Sequence, residues 1–303
     1  MQTEYTYHDT LAASERINWR VEDIIGGDKR LDFSKPFMPE RLARVQNLRF
    51  LDRDEKLALN HIRGNAYLYM FGLVEEFILP FVLDHARPQL DGDDYRIRAL
   101  LRFAGEEAKH IHLFKRFREE FQNGFGTASE VIGPADEFAR AVLAHHPLAV
   151  ALTTLHIELM SQAHYVESVK DHQNLDPQFK SLLRHHWMEE AQHTKLDTLI
   201  VSALAEGCDA DQIEQAFEEY LQIGGMIDQG LHAQVAFDMA SLQEATGCTL
   251  DTIEQEAFTA TQLQANRWTY LGSGMTHRNF LATLEALRPE ARIRLEQLSP
   301  AFC

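Results

Sequence analysis

Two pentapeptides nearly repeat in this chain: Glu106-Glu107-Ala108-Lys109-His110 and Glu189-Glu190-Ala191-Gln192-His193, 83 residues apart. Each contains Glu-x-x-His. On a helix, residues three apart share a face, so the Glu and His of one copy can reach the same ion. A Glu-x-x-His is expected roughly once by chance in a chain so rich in Glu and His, so the motif gains weight only from its surroundings. Those surroundings are helical. Apolar residues recur with helical spacing, and no stretch alternates as a strand does.

Working outward from the two motifs, four long helices take shape. The first is expected to start after Asp52, an N-cap with Glu55 three residues on, and to run to about His85. The second follows the Asp91-Gly92-Asp93-Asp94 cluster and ends near Gln122. The third begins at Pro147, a good first helical residue, and reaches about residue 171. The fourth opens at Asp176-Pro177 and stops at Gly207. A shorter helix is expected over 135–145, and three further helical stretches over 209–244, 250–270 and 276–297. Residues 1–38 read as irregular, and Pro39 to Phe50 as a short helix. Linkers are short, so residues 1–303 read as one domain. A metal-binding bundle fills about 52–207, with helices over 209–297 added at the C-terminus. The fold class is therefore all-α, a four-helix bundle with additional C-terminal helices.

The motif helices are the second and fourth; the first and third supply the rest. Between Arg63 and Asp84 the only formally charged residues are Glu75 and Glu76, and between Arg140 and Glu167 the only one is Glu158. A carboxylate alone in an apolar helix is costly to bury unless it pairs or binds a metal. Periodicity chooses among the doublets. The stripe through Glu107 holds Leu100, Phe103, Ala104, His110, Ile111 and Phe114, whereas the stripe through Glu106 holds Arg102 and Lys109. Glu107 is therefore expected to face inward, and Glu106 not. Glu75 shares its stripe with Leu68, Phe71, Gly72, Ile78, Leu79 and Val82, and is preferred to Glu76. Glu190 has the three-residue spacing to His193 and is preferred to Glu189. His186, four before Glu190, adds a third imidazole to that face. His112, His156 and His164 read as surface residues or supports for the ligands. The donor set is Glu75, Glu107, His110, Glu158, His186, Glu190 and His193. Carboxylate and imidazole without thiolate suit iron or manganese rather than copper(I) or zinc. One carboxylate from each of two helices and Glu-x-x-His from each of the other two is the di-iron carboxylate arrangement.

Composition narrows the partners. Lys plus Arg is 29 and Asp plus Glu is 46, a net charge of −17, which argues against nucleic acid and anionic membrane surfaces. The longest weakly charged stretches, such as 65–74 and 147–157, fall short of a bilayer span. Met1 to Thr10 has no basic region followed by an apolar one, so no secretory signal is expected. Cys208, Cys248 and Cys303 have no zinc-type spacing and fit a reducing, cytoplasmic setting.

The ordered set Glu75, Glu107-x-x-His110, Glu158, His186-x-x-x-Glu190-x-x-His193 resembles the ferritin-like di-iron oxygenases of the p-aminobenzoate N-oxygenase (AurF-type) family. The resemblance covers about residues 55–200, and His186 is what points to that branch. It implies an all-α, ferritin-like homodimer holding two iron ions, with manganese as the other candidate. It also implies dioxygen, a small amine substrate and an external electron donor, since no flavin or nicotinamide motif is present. The seven donors would be the metal ligands: one iron on Glu107 and His110, the other on Glu190, His193 and His186. Tyr67 and Arg267 or Arg278 would be counterparts of substrate-anchoring residues. Other functions consistent with the same donors are oxidation of C–H or C=C bonds, ferroxidase activity with iron storage, and a purely structural metal site. About 100 residues after the fourth long helix argue against a storage cage.

Overall fold

The computed structural model describes residues 5–303, so Met1 to Glu4 of the N-terminal stretch discussed above lie outside it. All regular structure among these residues is helical, and no strand forms. In chain order the helices are α1 (Tyr7–Ser14), α2 (Val21–Ile24), α3 (Glu40–Ala43), α4 (Arg53–Ala86), α5 (Asp94–Phe125), α6 (Ala135–Leu143), α7 (Pro147–His164), α8 (Pro177–Ala205), α9 (Ala210–Thr246), α10 (Thr252–Arg267), α11 (Ser273–Met275), α12 (Arg278–Leu287) and α13 (Pro289–Leu298). Helices α4, α5, α7 and α8 form the bundle, with α4 against α5 and α7 against α8.

Local chemistry sets the boundaries. Asp52 caps α4 through the amides of Asp54 and Glu55, while Glu55 accepts from the Asp52 amide. Asp93 caps α5, and Asp176 caps α8 with Pro177 in its first turn. Gly126, at φ 91°, ends α5 in the left-handed region that glycine tolerates best. On α5, Phe103, Phe117 and Phe121 are buried, each contributing roughly 1.5–3 kcal/mol by leaving water.

Several boundaries differ from the sequence reading. Residues 1–38 are not wholly irregular, because α1 and α2 form there, too short for a periodicity argument to detect. The Pro39–Phe50 stretch holds only α3 and a 3-10 turn, separated by Arg44 at φ 49°. The third long helix leaves α geometry at Tyr165–Val169, a π-helical turn. A second π-turn, Trp268–Gly272, follows α10. The expected 276–297 helix is two, because Pro289 forces Arg288 to an extended conformation (φ −161°, ψ 110°).

Two elements outside the bundle position the site. Helix α1 lies over the seam between α5 and α8. Helix α9 lies across α4 and α7 on another side. Over Arg53–Gln89 the first long helix is long and apolar enough to span a bilayer (mean hydropathy 1.6 in its most apolar window), a length the shorter stretches weighed above did not reveal. That apolar surface is spent on packing, with 67% of the window buried inside the protein.

Candidate metal centre

The bundle brings the seven sequence-predicted donors into one buried cluster. Glu75 comes from α4, Glu107 and His110 from α5, Glu158 from α7, and His186, Glu190 and His193 from α8. Each is at least 95% buried. Two overlapping sets could each hold a metal ion: Glu75, His110, His186 and Glu190, and Glu107, His110, Glu190 and His193. Within each set the donor atoms lie within 4.8 Å of one another. Glu158 Oε1 joins at 3.7 Å from His193 Nδ1. Glu76, by contrast, turns to Lys115 at 3.3 Å.

His186 goes to a different side of the cluster from the one the family resemblance implied. Its Nε2 is 3.1 Å from Glu75 Oε1 and 3.1 Å from Glu190 Oε1, and its ring stands edge-on to that of His110 at 4.6 Å. It therefore groups with His110 and Glu75, two turns of α8 away from His193. The i−4 spacing to Glu190 allowed either pairing; the approach of Glu75, carried by α4, to 3.1 Å from His186 decides it.

The donor atoms are conspicuous for what they lack. Glu75 Oε2, both oxygens of Glu107, His110 Nδ1, Glu158 Oε2, Glu190 Oε1 and His193 Nδ1 are buried without a hydrogen-bond partner. Orphaned buried polar atoms are rare, and here they converge from six of the seven side chains. That is the donor chemistry that divalent cations complete, so these residues fit a dimetal centre.

The electrostatics agree. Burial, reinforced by Glu107 and Glu158, raises the Glu75 carboxyl well above its usual range. Burial likewise pushes Glu107 up to about 7, against the opposing effect of His193. Burial holds His110 neutral, far below the usual imidazole range. Burial also disfavours charge on His193, but Glu106, Glu107 and Glu158 around it overcome that and raise it. Four carboxylates this close repel one another unless protons or cations stand between them.

Glu106 and Glu189 correct the sequence reading. Both were expected to face away, and both are buried, at 4% and 0% exposure. Glu189 Oε2 is 2.9 Å from His110 Nε2, and Glu106 Oε2 is 3.1 Å from His193 Nε2. Thus the first Glu of each pentapeptide holds the imidazole of the other copy, leaving both Nδ1 atoms directed at the cluster. Such carboxylate–histidine pairs fix the ring and raise its donor strength. Cations secure both carboxylates: Lys109 donates to Glu189, and Arg102 Nε to Glu106 at 2.9 Å. Ser14 Oγ of α1 donates to Glu106 at 2.7 Å. Of the basic residues that marked the Glu106 stripe as outward, Arg102 is a partner that lets Glu106 be buried, and Lys109 does the same for Glu189. The near-identity of the two pentapeptides at their first Glu was the available signal.

Other residues escaped the sequence. Trp19 stacks on His110, ring centroids 6.0 Å apart and planes at 10°, and Lys109 Nζ sits 3.8 Å from its ring centroid. Asp197, one turn past His193, is buried, and burial beside Glu158 raises its carboxyl well above normal. Arg63 is buried against Asp238 at 3.7 Å. His156 and His164 are not at the surface: they hydrogen-bond Tyr220 at 2.8 Å and Tyr67 at 3.1 Å. Tyr67 is therefore already engaged. Arg267 is held by both oxygens of Asp228 at 2.7 Å, and Arg278 is exposed at the start of α12, so neither is free inside the bundle. Among the described residues nine carboxylates are buried, Asp176, Asp197 and Asp238 in addition to the six glutamates of the cluster and its supports, so the acidic excess is not wholly superficial.

No protein-family model matches the chain, and no curated protein matches it in sequence. Among solved structures, an R2-like ligand-binding oxidase variant with an anaerobically reconstituted Mn/Fe cofactor is similar at 14% identity and TM-score 0.45, over 89% of this chain and 94% of that one. A variant with an aerobically reconstituted Mn/Fe cofactor is similar at 14% identity and TM-score 0.46, over 88% and 94%. One with an aerobically reconstituted Fe/Fe cofactor is similar at 15% and 0.44, over 88% and 93%. Similarity this distant leaves the chemistry of the site to its own geometry.

Proposed function

We propose that this chain is a non-haem di-iron oxygenase that N-oxygenates a small amine with dioxygen. The observation that carries the reading is the convergence of four buried carboxylates and three imidazoles whose inward atoms lack hydrogen-bond partners. Glu75, His110 and His186 would hold one metal, and Glu107, Glu158 and His193 the other, with Glu190 within reach of both donor sets. Manganese is the alternative occupant. When bound, the two metals supply dioxygen activation and two-electron chemistry. The balance is R–NH2 + O2 + 2 e⁻ + 2 H⁺ → R–NHOH + H2O, with the electrons coming from a separate donor protein.

The chain's own residues do the positioning. Glu189 and Glu106 keep Nε2 of His110 and His193 engaged, so that Nδ1 is the donor atom. The third imidazole, His186, adds a neutral donor between Glu75 and Glu190. Phe71 and Phe114, 5.6 and 5.1 Å from the His186 ring, exclude water on that side. On this reading the protein works in a reducing cytoplasm as a homodimer; its three cysteines form no disulfide, which suits the first of these.

Anaerobic loading of the purified protein with Fe(II), followed by exposure to oxygen in the presence of an arylamine, tests the reading. Two irons per chain and a hydroxylamine or nitro product are expected. Fewer than two irons, a reduced protein inert to oxygen, or full metal content in a Glu158→Ala variant would overturn it.

A further inference from the structure

A second ligand site lies at the start of α4, apart from the metal centre. We propose that the cavity between residues 34–46, the first turn of α4 and the α7–α8 connection binds the phosphate monoester of a small polar molecule. The cavity holds about 280 Å³, close to the lower end of small-molecule sites. Arg53 and Lys56 reach it from α4, His172 from the connection after α7, and Glu40 and Gln46 from the segment before α4. Lys56 precedes Glu75 by 19 residues on one helix, about 28 Å at 1.5 Å per residue. A ligand here is out of reach of the metals, so it binds as an effector and not as a substrate.

The donors on its walls set the charge of the ligand. Neither Arg53 nor Lys56 makes an ion pair or a side-chain hydrogen bond among the described residues. Elsewhere Arg102, Lys109 and Arg267 are each held by a carboxylate. His172 Nδ1 accepts from the Asn174 amide at 3.3 Å, so in the neutral imidazole Nε2 carries the proton and is a third donor. Three donor groups call for three acceptor atoms. A phosphate monoester has three terminal oxygens and close to two negative charges near neutral pH, which match two permanent cations and one neutral imidazole. A carboxylate, with two oxygens, would leave one donor unmatched. Glu40 is the one acid in the lining. Its Oε1 accepts from the Gln46 amide at 2.7 Å, and burial raises its pKa, so it opposes an anion only weakly. Met38, Val45 and Leu57 form an apolar wall for the carbon skeleton of the ester, and the Gln46 side-chain amide is there for its hydroxyl groups.

The three segments that present these donors are fixed to one another. Asn60 pins the segment before α4: its Oδ1 accepts from the amides of Phe37 and Met38 at 2.7 and 3.0 Å, and its Nδ2 donates to the Met38 carbonyl at 2.8 Å. Asp176 pins the α7–α8 connection to the same segment: its amide donates to the Pro36 carbonyl at 2.8 Å, and its Oδ2 accepts from the Asp32 amide at 2.9 Å. Little backbone ordering then remains for the ligand to bring about. A ligand held by all three segments ties the start of α4 to the base of α8, the helix that carries His186, Glu190 and His193.

The test is isothermal titration calorimetry of the full chain, in phosphate-free buffer, with glucose 6-phosphate, inorganic phosphate, glucose and citrate. Glucose 6-phosphate is expected to bind once per chain with a dissociation constant below about 1 mM. Inorganic phosphate should compete with it more weakly, and glucose should not bind. Arg53→Gln and Lys56→Gln should each weaken glucose 6-phosphate by at least about tenfold, the worth of one charge-assisted hydrogen bond. Both side chains are unpaired, so the ligand-free unfolding midpoint of each variant should stay unchanged. Arg49→Gln removes an exposed neighbouring cation that does not line the cavity, and should bind normally. No binding of either phosphate, citrate binding as tightly as glucose 6-phosphate, or an equal loss from Arg49→Gln and Arg53→Gln would overturn the assignment. None of these readouts depends on iron content or oxygen reactivity, so the site stands or falls separately from the oxygenase reading.

Discussion

Replacing Glu189 by glutamine isolates the contribution of the carboxylate that supports His110. Glu189 has no exposed surface, accepts from His110 Nε2 at 2.9 Å, and is held by Lys109. Burial, partly offset by Lys109, raises its carboxyl to about 7, so near neutral pH it is readily protonated when the cluster is free of metal. Glutamine has nearly the shape of that protonated acid. The metal-free fold should therefore change by less than about 1 kcal/mol, the scale of one exchanged hydrogen bond. The metal-bound state differs. A cation on His110 Nδ1 makes the Nε2 proton more acidic, and the carboxylate opposite it then strengthens the ligand. Loss of such a partner costs about 10–100-fold in metal affinity, equivalent to roughly 1.4–2.7 kcal/mol. Anaerobic titration with Fe(II) against a chromophoric chelator would resolve the two stepwise constants. One should weaken by that factor while the constant governed by His193 and Glu106 stays nearly unchanged. Thermal unfolding of the metal-free variant supplies the second readout. Unaltered affinity, or a loss of metal-free stability as large as the loss of binding energy, would refute the supporting role.

Two further outcomes follow from other parts of the molecule. His61 is buried and its Nε2 contacts the Lys35 carbonyl at 2.8 Å; burial lowers its pKa to about 4, against 6.5 when free. The unfolded chain thus binds the proton first, so the stability from a neutral His61 is complete above pH 6.5 and is lost as pH falls towards 4. By pH 5 the loss is about 2 kcal/mol, read as a shift in the urea midpoint that a His61→Gln variant should lack. At Gly272, in the second π-turn, a Cβ would lie 2.8 Å from the carbonyl carbon of Phe302 and closer still to its oxygen. Gly272→Ala should displace the C-terminal residues and cost about 1–3 kcal/mol by denaturant unfolding; an unshifted midpoint would show that the segment yields freely.

Much of the metal cluster was legible because it depends on spacing along single helices. Glu107 and His110 sit three apart, as do Glu190 and His193, and only one rotation of an amphipathic helix buries each pair. Glu158 was legible for a different reason, being the lone charge in a long apolar run. Glu106 shows where such reasoning stops. Its stripe looked polar because Arg102 and Lys109 lie on it. The residues that make burial tolerable, His193 and Ser14, are 87 and 92 positions away. Arg267 fails similarly as a substrate anchor, since nothing local to it shows that Asp228 on α9 will hold it.

The sequence by itself determined the all-α architecture, the four long helices with their caps, and the side chains with donor chemistry. These follow from periodicity, capping and charge placement, all of which act within a few turns of one helix. Only the tertiary structure decided that His186 stands with His110, and that Glu106 and Glu189 reach across to support the opposite imidazole. Those features depend on which helix lies beside which. That order is set by burial summed over the whole bundle, and no single segment encodes it.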